Sequence, residues 1–493
     1  MKTINLFVAI IVQITYEVNS QWQSDFRLTN DPAVSQTSHN SVKSIVESDG
    51  NIHVVWVDGR SGSNSEIFYK RSADRGLSWE QEKRLSDLPD ESLSPSISVS
   101  GQSIHVVWSD SRNAYWGLYY KRSTDNGVTW GADTRLSMDL RSKEFPSVVA
   151  SGLLVHVSWD DWRDTTAEIY YKRSTDGGVT WSADLRLTNS VLSSRSNSMT
   201  TSGPIVHIAW HDWRNGVSNP EIYYKRSTNG GLNWSTDFRL TNNSTETYSP
   251  SIAAAGSNVY IVWDDFVTTG NSEIYFRSST DNGVNWGNET RLTNNSASSE
   301  HASLIAEPSG LLHIAWTDRR DGNEEIYYKR SLNMGANWDI DVRLTNNAED
   351  SYNGSICSSG PTLNIVWTDT RDGNLEIYYK QNPTGNVLGI IKVDTEIPNH
   401  FSLSQNYPNP FNPTTNFEFS IPLSRGVSEG RGVFVNLTIY DVMGRAVETL
   451  QNGEMKPGVY KADWNASGYP SGVYFYKLSN TEFSETKKMI LIK

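Results

Sequence analysis

This 493-residue chain contains one cysteine, Cys357, so neither an intrachain disulfide framework nor a cysteine-based zinc site is available to it. It also lacks positive charge: 43 Lys+Arg stand against 56 Asp+Glu, a net charge of −13. That balance disfavours nucleic acid and anionic membrane as partners, because their phosphates attract a basic face. No apolar run approaches the roughly 20 residues needed to span a bilayer, and the repeated region shows no helical periodicity. What the chain does have is aromatic residues and turn formers: 18 Trp, 23 Tyr and 35 Gly.

The first residues read as a secretory signal peptide over 1–20. Lys2 supplies the basic start, Leu6 to Val12 the short apolar run, and Val18-Asn19-Ser20 the small residues before Gln21. This places the mature protein outside the cytoplasm, secreted or at the outer-membrane surface.

Beyond that leader, one tryptophan recurs at Trp56, Trp108, Trp159, Trp210, Trp263, Trp316 and Trp367, at spacings of 51 to 53 residues. Periods of this size belong to propellers and solenoids. Each of these tryptophans ends a β-branched run and is followed two residues later by an acid, from Asp58 to Asp369. A second run such as Glu168 to Arg173 follows, then a turn such as Ser174 to Trp181, then a short strand with an Arg-Leu pair. Four short strands per unit predict an all-β fold. The Arg-Leu strand appears seven times, at Arg27, Arg84, Arg135, Arg186, Arg239, Arg291 and Arg343. Its first copy precedes any complete unit, and the seventh unit lacks one. The N-terminal strand is therefore expected to complete the last sheet and close a seven-bladed β-propeller over residues 21–383, leaving no open edge.

Six turns share one pattern, starting at Ser72, Ser123, Ser174, Ser227, Ser279 and Ser331 and ending at a tryptophan seven residues later. An Asp or Asn accepts backbone N–H bonds and Gly supplies positive φ. Asn229 and Asn333 replace Asp in two copies, a swap that a turn tolerates and a catalytic carboxylate does not. The pattern resembles the Asp box, or bacterial neuraminidase repeat, of sialidase-like propellers. That resemblance implies the fold; lectins, lyases and binding proteins share the box with the sialidases. The sialidases of the family carry an Arg-Ile-Pro motif that this chain lacks, its nearest string being Phe26-Arg27-Leu28-Thr29.

Positions repeated in all or most units read as structural. These are the Trp-x-Asp-x-Arg loops, with Val267 the one replacement of Arg, the Glu that follows them, replaced by Gly117 in the second unit, and the strand histidines His53, His105, His156, His207 and His313. Positions that break the symmetry are the candidates for function. On the links entering each first strand stand Glu144, Arg195, Tyr248, Glu300, His301 and Tyr352, a set that would serve a glycan-cleaving enzyme. In the loops after the strand tryptophans stand Tyr115, Trp116, Trp162, Trp213 and Phe266, aromatic surfaces suited either to stacking on sugar rings or to packing against neighbouring loops. No metal centre and no cofactor are expected, apart from a weak calcium reading of the oxygen-rich loop Asp369 to Asn374.

After a linker at 384–397, residues 398–493 are expected to form a small immunoglobulin-like β-sandwich. Tyr407-Pro408-Asn409-Pro410-Phe411, Tyr440-Asp441, Ser471-Gly472-Val473-Tyr474 and the closing Lys487 to Lys493 resemble a type IX secretion sorting domain. The resemblance implies the secretion machinery as a partner. The sequence thus favours an exported propeller that binds carbohydrate. A glycan-cleaving enzyme, sialidase-like hydrolase or lyase, is the alternative, and a protein-interaction scaffold the second alternative.

Overall fold

The computed structural model describes residues 22–382 except 39–41, 61, 63, 88–89, 113–114, 269 and 360–361, then 390–394, 398–422 and 433–493 except 456, 467–468 and 481. The expected signal peptide at 1–20 lies outside the described residues. The chain divides into two compact units, one of them Ser24–Gln381.

That unit holds seven antiparallel sheets, numbered here by the order of their strand tryptophans. Sheet 3 is typical: Lys143–Ser151, Leu154–Asp161, Glu168–Ser174 and Leu185–Arg186 pair in chain order. The second strand of each sheet is buried almost end to end, because neighbouring sheets cover both of its faces. First strands touch one another in sequence from Ile45–Ser48 round to Ser351–Ser359, which touches Ile45–Ser48 again. The circle is also closed by pairing. Phe26–Arg27 joins the third strand of sheet 7, with Phe26 opposite Tyr379 and Arg27 opposite Tyr378. Sheet 1 is the exception in build, since its first strand is split into Ser35–Gln36 and Ile45–Ser48, both paired with Asn51–Asp58.

The repeated side chains hold the sheets to one another. In sheet 2 the hydroxyl of Ser123 accepts the N–H of Gly127, and Asp125 accepts the N–H of Thr129 at 2.9 Å. The Thr129 hydroxyl and N–H hold the Asp125 carboxyl down to about 2. Asn229 makes the same bond to Asn233 without a charge. The turn then reaches the preceding sheet, where Trp130 packs edge-on against Tyr69 with ring centroids 4.9 Å apart. The Tyr69 hydroxyl meets Nδ1 of His53 at 2.7 Å. This arrangement recurs between successive sheets. The strand histidines are thus structural, as expected: burial pushes His53 down to about 3 and His105, His156 and His207 to about 4.

The other repeated groups are committed too. Trp56 Nε1 donates to Asp58 at 2.9 Å, and Asp58 holds Arg60, whose guanidinium lies 4.5 Å over the Phe68 ring. Glu66 holds Arg84, with equivalents such as Glu168–Arg186 at 2.8 Å and Glu376–Arg27 at 2.6 Å. Where Val267 replaces the arginine, burial pushes the Asp265 carboxyl above its usual range; Thr245 and Asn243 are its donors.

The second unit contains two further four-stranded antiparallel sheets. One orders Ile390–Asp394, Gly458–Asn465, Thr414–Ile421 and Ser402–Leu403; the other orders Ala446–Met455, Val433–Asp441, Gly472–Ser479 and Ser484–Leu491. Phe417, Ile439, Trp464 and Tyr476 are among its buried core. Ile390–Asp394 falls in the stretch read from sequence as linker, and it is instead an edge strand paired with Gly458–Asn465. Its run of Ile390-Ile391-Lys392-Val393 carries the β-branched composition that strands favour.

Glycine at the fifth box position is required twice over. Gly178 has φ of +87°, and a Cβ there would sit 1.9 Å from the Tyr120 hydroxyl. Gly152, at φ +58°, has open space around it. Gly178→Ala is expected to cost about 2–4 kcal/mol and Gly152→Ala only about 1 kcal/mol in chemical denaturation. Equal losses would show that the tyrosine contact is not a constraint.

Candidate functional site

Six first strands break register where they enter their sheets, at Leu93/Ser96, Glu144/Ser147, Arg195/Ser198, Tyr248/Ser251, Glu300/Ser303 and Tyr352/Ser355. Inside each bulge one non-glycine residue is left-handed: Ser94, Phe145, Ser196, Ser249, His301 and Asn353, with φ between 46° and 57°. Bulges re-aim side chains and are common beside functional sites. They lie on the links where the symmetry-breaking residues were found.

A residue class missed in the sequence supports these bulges. The position after each strand tryptophan carries Val57, Ser109, Asp160, His211, Asp264, Thr317 or Thr368. Asp160 accepts the Ser196 N–H at 2.9 Å, Asp264 the His301 N–H at 3.1 Å, and Thr317 the Asn353 N–H at 3.0 Å. Each acceptor thus caps the bulge of the next sheet. Two are fully buried carboxyls. Burial pushes Asp160 up to about 7 against the opposing pull of its hydrogen bonds and Arg195; burial and the nearby Glu300 charge put Asp264 well above the carboxylate range. The signal was present in the sequence as non-uniform chemistry at one fixed position inside otherwise apolar strands.

Around Asp160 the side chains converge. Glu144 bonds Arg195 at 2.7 Å, and the Arg195 guanidinium lies 5.1 Å over Trp162 and 5.6 Å over Phe145, with its Nε 3.7 Å from Asp160. Beside this group opens a cavity of about 630 Å³ whose lining includes Tyr115, Arg141, Glu144, Trp162, Arg163 and Asp164. Arg163 is tied to Asp161 and Asp184, and Asp164 accepts the Tyr170 hydroxyl. Among the described residues, Arg141 is the lining cation whose guanidinium is in no ion pair. The cavity therefore offers two aromatic surfaces, a carboxylate and an uncommitted guanidinium.

The other candidates lie outside that cavity. Tyr248 sits between Trp213 and Phe266, ring centroids 6.2 and 5.6 Å away, with buried His211 edge-on to both Trp213 and Tyr248. Burial, helped by the bond to Glu246, pushes the Tyr248 hydroxyl up to about 12. Glu300 accepts the Ser272 hydroxyl at 2.8 Å, and His301 is held by its backbone on Asp264. Tyr352 is half-buried near Glu324 and Asp350, which with burial raise its pKa. Trp116, half-buried, contributes its carbonyl to the Lys143 N–H. The six polar candidates therefore do not form one catalytic set: only Glu144 lines the cavity, and Arg195 reaches it through Glu144. The reason is geometric, since each link serves its own sheet. In the loop read as weakly calcium-binding, Asp369 holds Arg371 at 2.5 Å and Asp372 accepts the Tyr378 hydroxyl, so these carboxylates already have partners.

Residues 405–493 match the family described as a secretion system C-terminal sorting domain. The tail is a sorting domain. It implies export, to the cell surface or the medium. No helix among the described residues is long and apolar enough to cross a membrane. None of the curated proteins matches the sequence. Similar solved structures include a protein of unknown function from Dyadobacter fermentans, 12% identical, covering 72% of this chain and 98% of its own, with a TM-score of 0.45. A polysaccharide lyase, Uly1, is 9% identical, with coverage of 69% and 89% and a TM-score of 0.48. The sialidase of Trypanosoma rangeli is 11% identical, with coverage of 94% and 88% and a TM-score of 0.42. Likenesses at this level carry no argument about chemistry, which rests on the site itself.

A carboxyl raised by burial keeps its proton in the folded state over a window where the unfolded chain has lost it. For Asp160 that window runs from the ordinary carboxylate range up to about 7, and stability falls as pH rises through it. Asp160→Asn removes this dependence. Its melting temperature is expected to gain roughly 2–4 °C on the parent between pH 5 and pH 8. Parallel pH profiles for the two proteins would show that Asp160 titrates normally.

Proposed function

We propose that the chain is an exported seven-bladed β-propeller followed by an immunoglobulin-like sandwich, and that it binds an acidic glycan at the cavity between Tyr115 and Trp162. The observation that carries this reading is the composition of that cavity. Aromatic faces take the apolar side of a sugar ring, Glu144 accepts from its hydroxyls, and Arg141 receives a carboxylate. Arg195 covers one side of Trp162 and fixes its plane. The sorting tail supports the setting, since an exported protein meets polysaccharide at or beyond the cell surface.

One observation favours cleavage as a second reading. Glu144 lies in the cavity and Asp160, its carboxyl raised to about 7 by burial, lies behind Arg195, so two carboxyls in unlike environments stand near each other. A glycan array and a reducing-end assay on the full secreted chain separate the two readings. Binding without release, weakened about tenfold or more in Trp162→Ala, supports a binding protein. Release of reducing ends that Glu144→Gln abolishes supports the enzyme. Silence in both assays overturns both readings and leaves a protein-interaction scaffold.

A further inference from the structure

The aromatic side chains on the bulge-bearing face are unevenly distributed round the ring. Three residues past the strand tryptophan, sheets 3, 4 and 5 carry Trp162, Trp213 and Phe266, whereas sheets 1, 2, 6 and 7 carry Gly59, Ser111, Arg319 and Thr370. Sheet 2 supplies Tyr115 from the same loop, 48% exposed. All four loops leave their second strands at the same end and are anchored alike, the N–H groups of Ser111, Trp162, Trp213 and Phe266 bonding the carbonyls of Glu91, Ser142, Ser193 and Glu246. The aromatic residues therefore occupy successive positions along one arc spanning sheets 2 to 5.

The arc is joined from side chain to side chain. Arg195, lying over Trp162, is opposite His211 in the sheet 4 register. Buried His211 props both Trp213, at 4.6 Å between centroids, and Tyr248, at 5.2 Å. Burial pushes its imidazole down to about 3, so at neutral pH it is an uncharged support. Tyr248 in turn meets Phe266. Polar groups accompany the row, Glu144 and Arg195 at one end and Glu246 near the other. A row of aromatic groups over four sheets with hydrogen-bonding groups at both ends matches a polymer of sugar rings, whose faces are apolar and whose rims are hydroxylated. A pocket for a single terminal sugar has no use for groups beyond its own walls.

We infer that the site takes an internal run of an acidic polysaccharide laid along this arc, with the cavity at Tyr115 and Trp162 as its first station and Phe266 at the far end. The inference rests on the proposed glycan binding and adds the substrate class: extended uronic-acid chains rather than single terminal sugars. In this arrangement Trp162 serves every chain length, and Phe266 serves only chains long enough to reach it.

Isothermal titration of the full chain with size-fractionated oligogalacturonides, from the disaccharide to the octasaccharide, tests it. The expected result is an affinity that climbs with chain length by about tenfold or more across the series before levelling off. Phe266→Ala is expected to leave disaccharide affinity within about twofold and to abolish the climb, whereas Trp162→Ala weakens all lengths. Affinity already level at the disaccharide in the parent protein overturns the extended mode while leaving glycan binding intact. No binding at any length overturns the acidic-glycan reading itself. The parent series alone decides the point should Phe266→Ala fold poorly, and thermal melting of both variants identifies that case.

Discussion

The contact on which the ring depends is a tyrosine hydroxyl occupying the space where the next sheet's turn has no side chain. Tyr69, Tyr120, Tyr171 and Tyr224 each fill the Cβ position of a glycine one sheet ahead, and Tyr379 does so for Gly76 across the closure. The adjoining tryptophan then packs on the same ring. Five of the seven steps between sheets are thus keyed by close packing, and at a sixth the Phe276 ring fills the same place at Gly335, so added methylene volume there is costly. A third-strand cation adds a second tie of the same sense. Lys121 donates to the Leu85 carbonyl, Lys329 to Leu292, and Arg277 takes the same place toward Leu240.

This keying explains where chemistry can reside. Box, strand tryptophan, loop acid and loop arginine are all committed to holding sheets, so substitution there costs the fold. The freedom lies at the mouth, in the bulges, the residues that cap them and the loop position three past the tryptophan. The two functions meet in Asp160. It is a structural cap for the Ser196 N–H, and it is also a buried carboxyl close to Arg195, behind the cavity that Glu144 and Trp162 line. A cap needs only an acceptor, as Thr317 and Thr368 demonstrate. An aspartate in that position adds a proton held near neutrality, which a threonine cannot supply.

Much of the fold was legible in the chain because repetition converts a weak local signal into a strong one. The count of Arg-Leu strands located the closing strand at Phe26–Arg27, and the recurring loop Arg and the Glu after it, read as structural, do stand in ion pairs, the Glu with the arginine of the Arg-Leu strand and the loop Arg with the loop Asp. The site was less legible. Glu144, Arg195, Trp162 and Tyr115 were named from sequence and do meet; Glu300, His301 and Tyr352 were named by the same rule and lie apart. The rule compared the links one position at a time, and a ring places equivalent positions on different sheets rather than in one pocket. Asp160 and Asp264 escaped notice because they sit inside strands that otherwise read as core. The bulges escaped it as well, since residues such as Phe145 carry no left-handed preference in sequence.

The central claim is that the repeated positions build the ring and that the symmetry-breaking face, at Tyr115, Glu144 and Trp162, receives the sugar. A crystal structure of the chain with an oligogalacturonide bound tests it most directly. The account predicts a sugar ring between Tyr115 and Trp162, with its carboxylate on Arg141 and further rings running toward Trp213. Sugar bound on the opposite face among the Ser-to-Trp turns, with the cavity empty, would contradict it.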